Sequence, residues 1–504
     1  MIRSSSTEPR LGGRSDWMRG PGRFLLLGTA LFALLFRRSR GAAWVGDFWI
    51  YVATVGELAA HPLDPRNPLY GNDYAFAFFS PYTWVLGIVS RVSGHGPFET
   101  VVLQGFVNLA LLLAALYAFV GAWVGRREAA FYALLMVLFL WGSDPWLFSS
   151  VFHLRSLAYV LPYPSTFAAA LALGTLAALP RLTRPGGLGW IALVAPVMTL
   201  LWITHPVNAL FLWVGLLAWS LDPLRPWRHW AALALVLAAS LLLAMAWPLY
   251  PVRDLWFRQI ALVHEGNDQM YEEALRRVWP ALLGVPCMLV RLRRNWRDPL
   301  ASFTLGLVAL YVYGGVVGQW SYGRLLPHAV LLLQVALADA VVALEERIGR
   351  FRAGGLWRNV LAAAIAGLLI GRSWSTAIEP TLREAGEGNP AWLAFLKTHV
   401  GRYEVVLTDL ETCWYVPSFS GKIVGYPMSI PFVPDHVARV RAVEKFFEAN
   451  ATLEERLAIL KRYGVRWVLL DKSRAGDWRG LREELRPTAR VVFSDAEQEL
   501  LRIE

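Results

Sequence analysis

The sequence predicts a mainly α protein: a polytopic transmembrane helical bundle of about eleven spans, followed by a small C-terminal α/β domain outside the cytoplasm. Three observations carry this expectation. Of 504 residues, 56% are hydrophobic and only 17% charged, against roughly 45–50% and 25% in soluble domains. The apolar residues cluster in long runs that end in arginine- or proline-containing loops. The basic excess lies wholly before Trp374, whereas the remainder is nearly balanced and holds every lysine. This composition excludes a disordered or collagenous chain, and two cysteines, Cys287 and Cys413, exclude a disulfide framework. Nucleic-acid binding is disfavoured as well, because the positive charge sits in short loops between apolar runs, as the positive-inside rule expects.

The expected spans fall near 24–36, 98–121, 128–142, 160–179, 187–203, 207–221, 229–247, 277–290, 299–318, 325–343 and 357–372. Several fall short of the roughly 20 residues that cross a bilayer upright, so their ends extend by a few residues. A cytoplasmic N-terminus collects Arg126, Arg127, Arg181, Arg184, Arg225, Arg228, Arg291, Arg293, Arg294, Arg347 and Arg350 on the inner side. Arg37, Arg38 and Arg40 break the rule locally. The run Phe78–Val92 would invert every later loop if it crossed, so it is expected to lie along the outer interface, with Tyr82 and Trp84 at headgroup level. Residues 1–374 then form the membrane domain and 375–504 an extracytoplasmic one, joined by a linker at Arg383–Pro390.

In the tail, Glu404–Leu407, Ile423–Tyr426, Val465–Leu470 and Arg490–Ser494 have strand character. Asp435–Asn450 and Leu453–Tyr463 are expected to be helical, the second capped by Thr452 and ended by Gly464.

Polar groups near the outer surface are the candidates for chemistry, since charges at a bilayer are costly. Asp47, in Gly46-Asp47-Phe48-Trp49, follows the first span. Two roles fit it: a general base at the lipid–water boundary, or the cap of a helix beginning at Phe48. Asp144 stands at the outer end of the third span, as a substrate-binding acid or part of a Ser-Asp-Pro turn. His205 occupies a very short outer turn, Thr204-His205-Pro206, that should face the same cavity. Tyr322 and Arg324, in Trp320-Ser321-Tyr322-Gly323-Arg324, open the tenth span. There the arginine can grip a lipid phosphate with its planar fork, or snorkel to ordinary phospholipid. Arg253, Arg258 and His264 in the second long outer loop are weaker candidates of the same kind. No nucleotide-binding glycine loop occurs, and none of the membrane-domain histidines has metal-ligand spacing, so neither a cofactor nor a metal is predicted.

With an early acidic outer loop, an interfacial run from Ser80-Pro81-Tyr82-Thr83-Trp84 to Ser93-Gly94, a late Tyr-Gly-Arg and an outward α/β tail, the chain resembles the GT-C superfamily of integral-membrane glycosyltransferases. The likeness is to its dolichyl-phosphate-mannose–protein mannosyltransferase-like and bacterial lipid-carrier-dependent branches. Thr408-Asp409-Leu410, Tyr415-Val416-Pro417-Ser418-Phe419-Ser420-Gly421-Lys422 and Val465–Leu470 are similar to stretches of such tails. The resemblance implies a polyprenyl-phosphate-linked sugar donor, a glycan, lipid or protein acceptor, and a general-base role for Asp47. The paired acidic motif of some branches is absent, since Gly46 and Phe48 flank Asp47. The expected function is sugar transfer on the outer face of the cell membrane, with Asp47 as base and Arg324 and His205 holding the donor phosphate. A transporter or flippase of lipid-linked sugars, or a non-catalytic assembly subunit, is the alternative.

Overall fold

The computed structural model describes residues 21–41, 44, 46–182, 189–221, 226–258, 266–350, 354–383, 390–474 and 477–504. Its main helices are α1 (Pro21–Gly41), α2 (Asp47–Ala60), α3 (Pro81–Ser93), α4 (Pro97–Trp123), α5 (Ala129–Phe139), α6 (Pro164–Leu182), α7 (Trp190–Thr204) and α8 (Pro206–Ser220). They continue with α9 (Trp227–Met245), α10 (Val285–Arg294), α11 (Pro299–Val317), α12 (Leu326–Ile348) and α13 (Gly354–Arg372). Five helical segments, 97–123, 164–182, 227–245, 299–317 and 320–348, are long and apolar enough to cross a membrane. A sixth is formed by 355–372 joined to 374–383 across a 55° bend, and three further apolar helices are shorter. The chain is an integral membrane protein.

Each expected span falls on helical structure, but the eighth is broken. Helix 274–278 passes through a 3₁₀ stretch, Trp279–Gly284, into α10. Pro280 and Pro286 lack amide hydrogens and favour new helix starts over continuation. Gly284 lies so close to α12 that an added Cβ would meet the Leu333 carbonyl oxygen at 2.3 Å.

On the expected inner side, the loop arginines converge on α12. Asp339 accepts from Arg126 at 2.6 Å and Arg291 at 3.1 Å. Buried Glu345 accepts from Arg23 at 3.1 Å and the Tyr132 hydroxyl at 2.6 Å. At the other end of α1, Arg38 is buried: Nη1 donates to the Ala158 carbonyl at 2.6 Å, and the guanidinium lies over the Trp44 and Tyr159 rings. Arg38 therefore is not a loop charge in solvent, which accounts for its exception to the charge rule.

Most of the run 78–92 forms α3, which starts at Pro81. Ser80 caps it, accepting from the Thr83 amide, with Pro81 in the first turn and Gly94 closing it in the left-handed region. Val85, Val89 and Val92 are exposed at helical spacing, whereas Tyr82, Leu86 and Gly87 face inward. A buried knot fixes it to the bundle: Tyr82 Oη donates to the Pro162 carbonyl at 2.8 Å, and Asn108 Nδ2 donates to Tyr82 Oη and the Leu161 carbonyl at 3.0 Å each.

The tail carries a five-stranded sheet of order β2-β1-β3-β5-β4, with β1 (Val405–Leu407), β2 (Lys422–Ile423), β3 (Val465–Asp471), β4 (Ala489–Ser494) and β5 (Gln498–Ile503). β1 is parallel to both β2 and β3, and β5 is antiparallel to β3 and β4. Helices α14 (His436–Phe447) and α15 (Leu453–Arg462) follow β2, and Thr452 with Glu455 forms a capping box on α15. Two expectations need correction. The strand at 423–426 stops at Ile423, where its amide bonds to the Leu69 carbonyl at 2.7 Å instead of extending the ladder. The strand β5 was not foreseen, because Asp495, Glu497, Gln498 and Glu499 mask its short apolar core.

The tail grips α2. Trp49 of α2 stacks on Phe419 and meets Tyr415 edge-on, and Ser418 Oγ donates to the Trp49 carbonyl at 2.8 Å. Farther along α2, Glu57 is 1% exposed and accepts from Arg402 at 3.1 Å and the Tyr403 hydroxyl at 3.2 Å. On its bundle side α2 packs against α3 through Gly87, where a Cβ would stand 2.5 Å from Leu58 Cβ and 3.0 Å from its carbonyl carbon. Gly87→Ala should therefore push the two helices apart and destabilise the protein by about 1–3 kcal/mol. Thermal unfolding of the purified variant in detergent checks this, and an unshifted midpoint would show that the contact has room.

Candidate functional site

α1 ends near Gly41, and α2 begins at Asp47 after Gly46, whose φ of 61° favours glycine. Gly46 holds the cap position and no side chain caps the helix, so Asp47 is not a cap. Among the described residues its carboxylate has no hydrogen bond or ion pair. Asp47 is half-buried. Burial raises its pKa above the ordinary carboxylate value, and the positive charge of Arg324 opposes that rise. One turn on, Tyr51 packs its ring 5.2 Å from that of Tyr163, whose phenol faces the Phe48 amide.

Arg324, close enough for its charge to act on Asp47, extends from a 3₁₀ turn, Trp320–Leu325, that leads into α12. Its Nε donates to Asn267 Oδ1 at 2.6 Å and its Nη1 to Ser149 Oγ at 3.2 Å, with the guanidinium over the Phe148 ring. These partners are neutral. Asp47 and Arg324 feel each other's charge, but no ion pair within 4.0 Å joins them.

His205 sits between α7 and α8, and Asn208 Nδ2 donates to its Nδ1 at 2.9 Å. His328 Nε2 lies 3.0 Å from Asn208 Oδ1, and His328 Nδ1 lies 3.1 Å from the Arg324 carbonyl. A polar chain thus runs from His205 through Asn208 and His328 to Arg324. Burial, reinforced by the charges of Arg324 and His328, pushes His205 down to about 3. It is a neutral imidazole at pH 7, able to orient a group by hydrogen bonding but not to hold a phosphate as a cation.

The other expected site residues lie elsewhere or outside view. Asp144 is 64% exposed on its side chain and pairs with Arg277 at 3.4 Å. Arg258 is exposed and pairs with Asp254 at 3.6 Å. Tyr322 turns its ring edge to Tyr313, with centroids 6.0 Å apart, and makes no described contact with Arg324. His264 lies outside the described residues. The structure adds Asn267, Ser149, Asn208 and His328, which the sequence reading passed over. A signal existed for two of them: Asn208 lies one helical turn after His205, and His328 one turn after Arg324. Among the described residues, no group of three or more His, Cys, Asp or Glu side chains is arranged to hold a metal.

No family model and no curated protein matches the chain by sequence. Solved structures do match its fold. ArnT from Cupriavidus metallidurans, bound to undecaprenyl phosphate, is 14% identical, with 97% of this chain and 98% of that one covered and a TM-score of 0.59. The Archaeoglobus fulgidus oligosaccharyltransferase in its apo form is 12% identical over 89% of this chain and 69% of that one, with a TM-score of 0.60. The arabinofuranosyltransferase AftD from Mycobacteria is 15% identical over 95% of this chain and 40% of that one, with a TM-score of 0.56. The chain has the GT-C fold. In this GT-C fold helix α2 and the late 3₁₀ turn bring Asp47 and Arg324 within reach of each other's charge from opposite ends of the bundle sequence.

Asn208 is fully buried, and its removal leaves His205 Nδ1 and His328 Nε2 without the partner they share. Asn208→Ala should cost about 1–3 kcal/mol, the penalty of buried polar groups left unpaired. Thermal unfolding in detergent measures it; parental stability would mean that the two histidines find water or other partners.

Proposed function

We propose that this protein is a membrane glycosyltransferase that moves a sugar from a polyprenyl-phosphate-linked donor to an acceptor on the outer face of the membrane. In this reading residues 1–374 form the membrane part, and the tail from 375 lies on the outer side with the site. The observation that carries the reading is a half-buried, uncommitted carboxylate that feels the charge of a half-buried guanidinium held only by neutral partners. A structural ion pair would have closed on itself; these charges stay available to a substrate. Two of the solved structures that share the fold are described as bound to undecaprenyl phosphate and to dolichol-phosphate, which supports a lipid-linked donor here.

Arg324 would hold the phosphate of the lipid carrier, whose bond to the anomeric carbon breaks during transfer. The acceptor hydroxyl attacks that carbon from the opposite face and its oxygen forms the new glycosidic bond. Its proton passes to Asp47, while the electron pair of the broken bond leaves with the phosphate. The product is inverted at the anomeric carbon. Lipid phosphate is a good leaving group, so orientation and charge stabilisation would supply most of the rate. His205, neutral, would orient a hydroxyl or phosphate oxygen and not neutralise charge. Asp144, Arg258 and Tyr322 take no part in this version, since nothing described brings them to Asp47 and Arg324.

Asp47→Asn keeps the shape of the side chain and removes the base. Transfer by the purified variant should fall roughly 10²–10⁴-fold, with folding and lipid-donor binding retained. Transfer at the parental rate would remove Asp47 from the chemistry and favour a transporter or assembly subunit.

The raised pKa of Asp47 gives a second expectation. The carboxylate must be unprotonated to accept a proton, so the rate should climb with pH along a limb whose midpoint lies above the ordinary carboxylate value of 3.8. Arg324 lowers that midpoint, so Arg324→Ala should move the residual activity's limb to higher pH as well as weaken donor binding. A limb that stays in place in Arg324→Ala would separate the two residues.

A further inference from the structure

We propose that a second site lies on the opposite side of α2 from Asp47, in the seam between that helix and the tail, and that it binds an anionic group, a phosphate or carboxylate, on a small molecule or on the end of a larger one. The inference does not depend on the transfer reaction proposed above.

The geometry begins with helix periodicity. At about 100° per residue, Asp47 and Tyr51 share one face of α2, Gly56 lies about half a turn from Asp47, Ala53 about a third of a turn and Glu57 about a quarter. That far face lines a cavity of about 300 Å³, closed on its other side by Lys397, Arg402 and the turn from Pro417 to Lys422. This volume is at the lower end of small-molecule sites, enough for an anion carrying a substituent such as a sugar ring.

The charge of the lining is unbalanced. Lys397, Arg402 and Lys422 stand against the single carboxylate of Glu57. Arg402 takes up that carboxylate, with Nη2 3.1 Å from it. Lys422, 3% exposed, is left with a 3.8 Å approach to the same carboxylate, the Asn67 carbonyl at 2.7 Å and the face of the Tyr403 ring. Lys397 lies over the Phe419 ring and has no carboxylate partner among the described residues. Two ammonium groups thus border one cavity with only half an ion pair between them. Burying a cation without full compensation is costly, and an anion in the cavity would supply the missing partner. Burial and the neighbouring cations Arg402 and Arg66 hold Lys422 down at about 8, even against the pull of Glu57. The serines do not offer competing donors: Ser418 Oγ donates to the Trp49 carbonyl at 2.8 Å and Ser420 Oγ to the Val400 carbonyl at 2.6 Å. Recognition therefore rests on charge, which favours an oxyanion over a neutral sugar.

Sulfate is a suitable probe because its charge is constant between pH 6 and 10. Calorimetric titration of the whole purified chain in detergent should give saturable binding at pH 7. Lys397→Ala, an exposed position, should weaken it about tenfold, the scale of one charge-assisted hydrogen bond, while Arg324→Ala should leave it unchanged. As pH rises through 8 the Lys422 ammonium becomes a neutral amine, so affinity should fall by up to about tenfold per pH unit. Lys422→Arg, which stays charged, should bind with a flat profile over the same range. Absence of saturable binding overturns the proposal. So does binding lost in Arg324→Ala and kept in Lys397→Ala, which would put the anion beside Asp47. A pH profile in a folded Lys422→Arg protein identical to the parent's would remove Lys422 from the site.

Discussion

The structure depends on keeping two opposite half-buried charges, Asp47 and Arg324, close enough to interact but too far apart to pair. In a medium of low polarity their attraction is strong, and a direct ion pair would satisfy both and leave neither for a ligand. Each is therefore anchored from behind. Arg324 is tied by Asn267 and Ser149. Asp47 has no side-chain tether and owes its position to the backbone of α2.

That requirement explains why α2 is clamped so heavily. Gly87 lets α3 approach it from one side, while Trp49, Ser418 and the Glu57–Arg402 pair fasten the tail to the other. α3 is fastened to the bundle by the Tyr82–Asn108 knot. The tail is thus one wall of a vice whose other wall is the bundle, and the helix between them carries the candidate base. A loop held only at its ends would let Asp47 swing by more than the ångström that separates productive from unproductive geometry.

Much of this architecture was legible in the sequence because its cause is local. Apolar runs of span length, arginines in the loops between them and the Ser80-Pro81 helix start are each readable from neighbouring residues. The candidate site was legible only in part. Asp47, His205 and Arg324 were singled out because polar residues at the expected outer span ends are few. The same rule also picked out Asp144, Arg258 and Tyr322, which the fold turns to solvent, to a salt bridge or to another ring. Sequence distance to a span end says how deep a residue lies, but not which way it faces. The helix breaks at Pro280 and Pro286 and the strand β5 escaped notice for a related reason: polar or cyclic residues within them obscured an otherwise apolar pattern.

The residues missed at the site share a property that bears on how such sites work. Asn208, Asn267, Ser149 and His328 contact the expected residues without being charged or exposed at span ends, and they act by hydrogen bonds at 2.6–3.2 Å. Neutral partners hold a guanidinium in place without cancelling its charge, which a carboxylate cannot do. The same logic separates the two regions of positive charge on either side of α2. Near Asp47, Arg324 is oriented by amide and hydroxyl groups and not neutralised by a carboxylate. In the seam, Arg402 is spent on Glu57 while Lys397 and Lys422 are not. What distinguishes a binding cation from a structural one here is therefore not its burial but the chemistry of its partners, a distinction that becomes visible only once the fold has brought them together.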